Sequence, residues 1–220
     1  MAAGESAEPA RNCRICPRLT DYRRDNAARE PDWFNGAVPS FGDPDARLLI
    51  VGLAPGVQGA NRTGRPFTGD FAGHLLYATL AKYGFLTGTY DARIDDSVVL
   101  HDVMITNAVR CAPPQNKPTP AEIASCRAFL WARIKGLPRL RAIVCLGRIA
   151  HDSALAALGM KKSAAEFSHG GAHRTPGDLM LFDSYHCSRY NTNTRRLTEA
   201  MFQQVFSAVR TCLDADSRFG

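Results

Sequence analysis

Residues 47–70 read RLLIVGLAPGVQGANRTGRPFTGD. The apolar run 48–51 is continuous rather than alternating, the pattern of a strand covered on both faces. It breaks into a glycine-rich stretch at 52–56 and a second at 59–70, where backbone N–H groups can approach a ligand closely. Neither a Walker loop nor a G-x-G-x-x-G fingerprint is present. Three more apolar segments repeat the theme, at 98–100 continuing through 103–105, at 142–146 and at 180–182. Each leads through loop signals into a helical pattern, over about 73–83, 119–135, 148–158 and 197–213. The run Thr119-Pro120-Ala121-Glu122 supplies a cap, a first-turn proline and a capping-box glutamate. This alternation predicts an α/β fold with a parallel sheet between helical layers. Ligands of such sheets bind outside the carboxyl ends of the strands, which singles out the loops 52–70, 107–118, 147–148 and 185–196.

The chain has 220 residues, enough for one domain with a full core. A single domain is expected over 11–215, preceded by a disordered tail over 1–10. Hydrophobic residues make up 45% and charged residues 22%, as in ordinary globular proteins. The apolar runs are too short to span a bilayer, so no membrane partner is expected. The net charge of +6 favours polyanions, nucleic acid first, though only weakly. Seven cysteines without an export signal argue against a disulfide framework and for a reducing, cytoplasmic setting.

The cysteine spacing carries more information. Cys13 and Cys16 form C-x2-C, and Cys111 and Cys126 form C-x14-C. Four thiolates brought together can hold an iron–sulfur cluster or a zinc ion, and spacing alone leaves both open. The long second spacing fits a zinc ribbon poorly. Cys145 and Cys212 fit buried packing positions.

Three other residues are ambiguous in isolation. Phe67 suits either a stacking platform for a base or an anchor for its loop. Asp70 precedes a helix and suits an N-cap. His186 leads the polar, basic and aromatic run 185–196, a mixture that suits a phosphate backbone plus one titratable group. The histidines at 74, 101, 151, 169 and 173 are read as structural.

Taken together, the stretches GLAPG, GANRTGRPFTGD, NAVRCAPPQNKPT, LGRIA and SYHCSRYNTNTRRLT resemble the uracil-DNA glycosylase superfamily. The nearest branch is family five, the type b iron–sulfur branch, and the likeness runs from about 13 to 206. It implies a three-layer αβα sandwich with a central four-stranded parallel sheet. It implies a 4Fe-4S cluster held by Cys13, Cys16, Cys111 and Cys126. It also implies removal of uracil, hypoxanthine and xanthine from DNA containing deaminated bases. By the same resemblance Asp70 is the catalytic carboxylate, Asn116 the active-site asparagine, His186 the histidine facing the base and Phe67 the stacking aromatic. Asn107 matches a uracil-reading asparagine of the type a branch. Gln58 and Arg195 depart from the family pattern, which often has histidine and usually glycine at those positions.

The expected mechanism follows. A nucleotide is flipped out of the duplex, and Ser188, Arg189, Asn191, Arg195 and Arg196 hold the strand. Backbone groups at Gly52, Leu53 and Ala54, with His186, stabilise the departing anionic base. Asp70 stabilises the cationic sugar and directs water. No lysine is read at the reacting position, so a monofunctional enzyme leaving an abasic site is expected, acting as a monomer. The rival readings are a non-enzymatic nucleic-acid module with a zinc or cluster site, and a small-molecule α/β hydrolase.

Overall fold

The computed structural model describes residues 7–216. Its strands are β1 (Phe41–Gly42), β2 (Leu48–Gly52), β3 (Leu86–Thr87), β4 (Val99–Leu100), β5 (Val103–Asn107), β6 (Ala142–Leu146), β7 (Ala172–Arg174) and β8 (Met180–Ser184). Its helices are α1 (Pro17–Arg29), α2 (Ala60–Thr63), α3 (Phe71–Lys82), α4 (Pro120–Lys135), α5 (Arg148–Ala157), α6 (Arg189–Asn193) and α7 (Glu199–Asp216). One sheet runs β1-β5-β2-β6-β8-β7. Its four central strands are mutually parallel, and β1 and β7 add short antiparallel edges. The four-stranded parallel centre therefore forms as expected, widened by edge strands too short to leave a periodic signal.

Every residue of β2, β5 and β6 is buried, which explains their unbroken apolar sequence. Successive side chains alternate between two cores. Leu48, Ile50, Ile105, Val144 and Phe182 pack with α3 and α7 on one face. Leu49, Val51, Ile143, Cys145 and Leu181 pack with α4 and α5 on the other. A third cluster, around Leu19, Ala37, Val109, Cys111 and Cys126, joins α1 to the start of α4. The Thr119–Glu122 capping box forms in both directions.

Some expectations change. The run 98–105 is two strands, not one. Asp102 turns the chain at φ 59° and takes Arg47 through both carboxylate oxygens, so β4 pairs with β3 in a separate hairpin. Helix α1 went unread because PRLTDYRRDNAAR has little apolar period. It forms around Leu19, Thr20, Arg23 and Asn26, which it buries. The expected tail over 1–10 divides in two. Residues 1–6 lie outside the described residues, whereas Glu8 is held by Arg110, by Arg133 and by the Ser40 N–H at 2.9 Å.

The glycine-rich loop after β2 is fixed by a buried ion pair. Arg65 donates to both carboxylate oxygens of Asp96, at 2.8 and 2.6 Å, and the Asp96 side chain is fully enclosed. Arg65 also reaches Thr68 Oγ1 and the Arg93 carbonyl. Removing the arginine strands an enclosed carboxylate. Arg65→Leu is expected to lower unfolding stability by about 3–5 kcal/mol, read by urea denaturation. A loss below about 1 kcal/mol, the worth of an exposed pair, would contradict this view of the loop.

Candidate active site

Loops leaving the carboxyl ends of β2, β5 and β8 enclose one cavity of about 400 Å³. Leu53, Ala54, Phe67, Asp70, Asn107, Asn116, His186, Ser188 and Arg189, all singled out from sequence, line it. So do Pro55, Gly56 and Ala60, within the loop singled out but given no role of their own, and Phe71 and Ala72, which sequence reasoning missed. Gly52 lies directly beneath. A β-carbon there would come 2.3 Å from Asn107 Oδ1 and 2.7 Å from Phe67 Cζ, so only glycine leaves room for both.

Phe67 is buried and held at φ 53°, in the left-handed region, where a bulky residue is strained. Its surroundings impose this. Tyr90 Oη donates to the Phe67 carbonyl at 2.9 Å, and Tyr77 Oη donates to the Pro66 carbonyl at 2.8 Å. At Gly73 a β-carbon would meet the Phe67 carbonyl at 2.0 Å. The ring stacks against His186, centroids 5.8 Å apart and planes at 25°. The ring thus anchors its loop and also lines the cavity.

Asp70 is both helix cap and cavity wall. Its Oδ1 accepts the Ala72 N–H at 3.1 Å at the start of α3. Its Oδ2 lies against the loop backbone, where a β-carbon at Gly59 would come within 2.3 Å. Burial raises its carboxyl above the ordinary range, against the N–H groups of Gly73 and Ala72 and the nearby His74, which pull it down. Burial pushes His186 the other way, down to about 4. The imidazole is thus neutral at pH 7 and able to donate a hydrogen bond. Asn107 Oδ1 is buried without a partner while its residue lines the cavity, an acceptor waiting for a donor.

The last loop divides in its roles. Ser188 caps α6, and Arg189 lies over the Phe71 ring at 5.2 Å. Asn191 does not line the cavity. Its Nδ2 donates to the His186 carbonyl at 2.8 Å and so fixes the histidine backbone. Arg195 and Arg196 are exposed outside the cavity, Arg196 over Tyr185 at 4.6 Å. Arg195 sits at φ 57°, a conformation that glycine adopts without strain. Gln58 is exposed and does not line the cavity. Neither does Lys117, the one lysine in the matched stretches.

Away from this cavity, Cys13, Cys16, Cys111 and Cys126 line one small recess with Leu19, Thr20 and Arg110. Arg23 donates to Cys111 Sγ at 3.4 Å and to the Cys13 carbonyl at 2.6 Å. Burial pushes the thiol of Cys111 up to about 12 and that of Cys126 to about 11, and raises Cys16. Thiolates here need a bound cation to form, and the soft four-sulfur donor set suits one.

The shift on His186 has a consequence for stability. The unfolded chain takes up this proton below about pH 6.5, but the folded protein refuses it down to about 4. The unfolded state binds more protons across that window, so stability from this group is complete above it and is lost as pH falls through it. Urea midpoints measured from about pH 7.5 to about 4.5 are expected to drop more steeply for the wild type than for His186→Gln. Parallel profiles would mean that His186 titrates normally.

Residues 39–210 match the family model described as uracil DNA glycosylase superfamily. A type-5 uracil-DNA glycosylase of Thermus thermophilus is 48% identical over 88% of this chain and 90% of its own length. A type-5 uracil-DNA glycosylase of Pyrobaculum aerophilum is 40% identical over 88% of this chain and 86% of its own length. A type-4 uracil-DNA glycosylase of the same organism is 34% identical over 70% of this chain and 65% of its own length. The family model covers the sheet and the cavity loops, and with these relatives it places the chain in the uracil DNA glycosylase superfamily, in its type-5 branch.

Proposed function

We propose that this chain excises uracil from DNA by hydrolysing the N-glycosidic bond, leaving an abasic site. The observation that carries this is the convergence of Asp70, His186, Phe67 and Asn107 on one base-sized cavity at the rim of the sheet. The names of the type-5 relatives support the substrate. The base must leave the stack to reach such a cavity, at a cost of a few kcal/mol. Arg189 at the cavity mouth and the exposed Arg195 and Arg196 offset that cost through phosphate contacts.

Inside, Phe67 stacks on the base. Bond cleavage leaves positive charge on the sugar and negative charge on the base. Neutral His186 donates a hydrogen bond to the anionic base, and Asp70 faces the sugar, stabilising its charge and orienting water. The half-desolvated Asp70 gains most from a cationic neighbour, which ties its stabilisation to the transition state. The lone acceptor Asn107 Oδ1 suits a ring N–H flanked by carbonyls. Deamination of cytosine and adenine creates a ring N–H beside a carbonyl, in uracil and hypoxanthine, and xanthine has one on each side of its new carbonyl, so we extend the substrate class to all three.

For the thiols we propose a 4Fe-4S cluster, structural in role. Such clusters are held by four cysteine thiolates, and the recess brings four cysteines together. The cluster would tie the segment before α1 to α4, near Asn116. Cys126→Ser is expected to strip iron and its visible absorption and to lower the melting temperature. Wild-type protein containing no iron would remove this proposal.

Two substitutions test the cavity. Asp70→Asn should slow excision from uracil-containing oligonucleotides by at least about 100-fold with binding retained. Gly59→Ala places a methyl against Asp70 Oδ2 and should cost about 100-fold with folding intact. Unchanged single-turnover rates in both would contradict the placement of the carboxylate.

A further inference from the structure

On the opposite face of the sheet from Phe182, the side chain of Asp183 is fully enclosed between two histidines. His151, from α5, has Nδ1 2.7 Å from Asp183 Oδ1. His173, from β7, has Nε2 3.2 Å from Asp183 Oδ2. One ligand atom from each of the three residues lies within 4.8 Å of the other two. Nothing in the base-excision mechanism uses them. We infer that His151, His173 and Asp183 form a second metal site, for a borderline divalent transition ion such as zinc, separate from the thiol recess.

Three features support this. First, the tautomer of His151 is set for ligation. Its Nε2 lies 3.0 Å from the Ala165 carbonyl, so that nitrogen carries the hydrogen and donates it. Nδ1 is left aimed at the carboxylate, and a ring N–H bound to a backbone carbonyl is the usual orienting contact behind a metal-bound histidine. Second, two imidazoles and a carboxylate suit zinc and its transition-metal neighbours, and exclude the oxygen-only coordination that calcium and magnesium prefer. Third, there is a way in. His151 and Asp183 are enclosed, but the His173 side chain is 21% exposed. It opens one side of the site to water, which can fill a fourth position.

Without an ion, the same groups form a hydrogen-bonded chain, with one proton shared between His151 Nδ1 and Asp183. Metal entry replaces that proton, which leaves to solvent, while the hydrogen of His173 moves from Nε2 to Nδ1. The balance is one divalent ion in and one proton out.

The test uses the full chain as purified, with iron measured in the same samples so that the thiol site is accounted for. Equilibrium dialysis against buffered zinc is expected to load one equivalent on the wild type, with affinity reduced at least about tenfold in His173→Gln. That variant changes a partly exposed ring, and its circular dichroism should match the wild type. Cadmium-113 NMR of the wild type gives a second readout that needs no substitution. A resonance in the nitrogen–oxygen range is expected. Zinc binding equal in the wild type and His173→Gln, no zinc uptake by the wild type, or a cadmium resonance only in the thiolate range would each overturn the site.

Discussion

The four parallel strands are sealed on both faces, and that enclosure governs everything else in the molecule. A strand such as β2, with all five residues buried, has its backbone groups used in the ladder and its side chains used in two cores. It can carry no chemistry along its length. Chemistry is confined to where the strands stop, and three of them stop at the same rim. Gly52, Asn107 and Ser184 end their strands there. The cavity is the space left where those chains part, and its residues are brought together by the register of the sheet rather than by proximity in sequence.

Within that space one physical effect acts on two groups in opposite senses. Loss of water favours the neutral form of any acid or base. It raises Asp70 and lowers His186, and the cavity therefore holds a carboxylate that benefits from a developing cation and an imidazole already able to donate to a developing anion. In the proposed reaction, charge separation in the breaking bond meets complementary groups on both sides. The imidazole needs no change of protonation at pH 7, which is the advantage of preorganised polar groups over solvent. The same dryness explains the tolerance of a strained Phe67, whose loop is pinned by Tyr77, Tyr90 and the Arg65–Asp96 pair.

Much of this was legible in the sequence, for identifiable reasons. The parallel strands announced themselves because burial on both faces leaves an apolar run. Helix α4 did so through a capping box that needs only local residues. The nine cavity residues lie in loops that follow strands, but Asp70, Asn107 and Asn116 among them were singled out only through the family resemblance. What stayed hidden depends on distant pairing. Asp96 lies in an ordinary acidic loop and becomes the partner of Arg65 only in three dimensions. Asn191 read as a DNA contact, yet its amide turns inward to the His186 carbonyl. The edge strands β1 and β7 are two and three residues long and carry no periodicity to detect. Helix α1 is polar along most of its length and owes its place to the thiol recess it covers.

The bond from Asn191 to the His186 carbonyl ties α6 to the backbone that carries the imidazole. Asn191 belongs to α6, the short helix whose cap Ser188 and first residue Arg189 line the cavity mouth. If α6 holds the strand as proposed, the seating of that strand and the placement of the imidazole are coupled through this one bond.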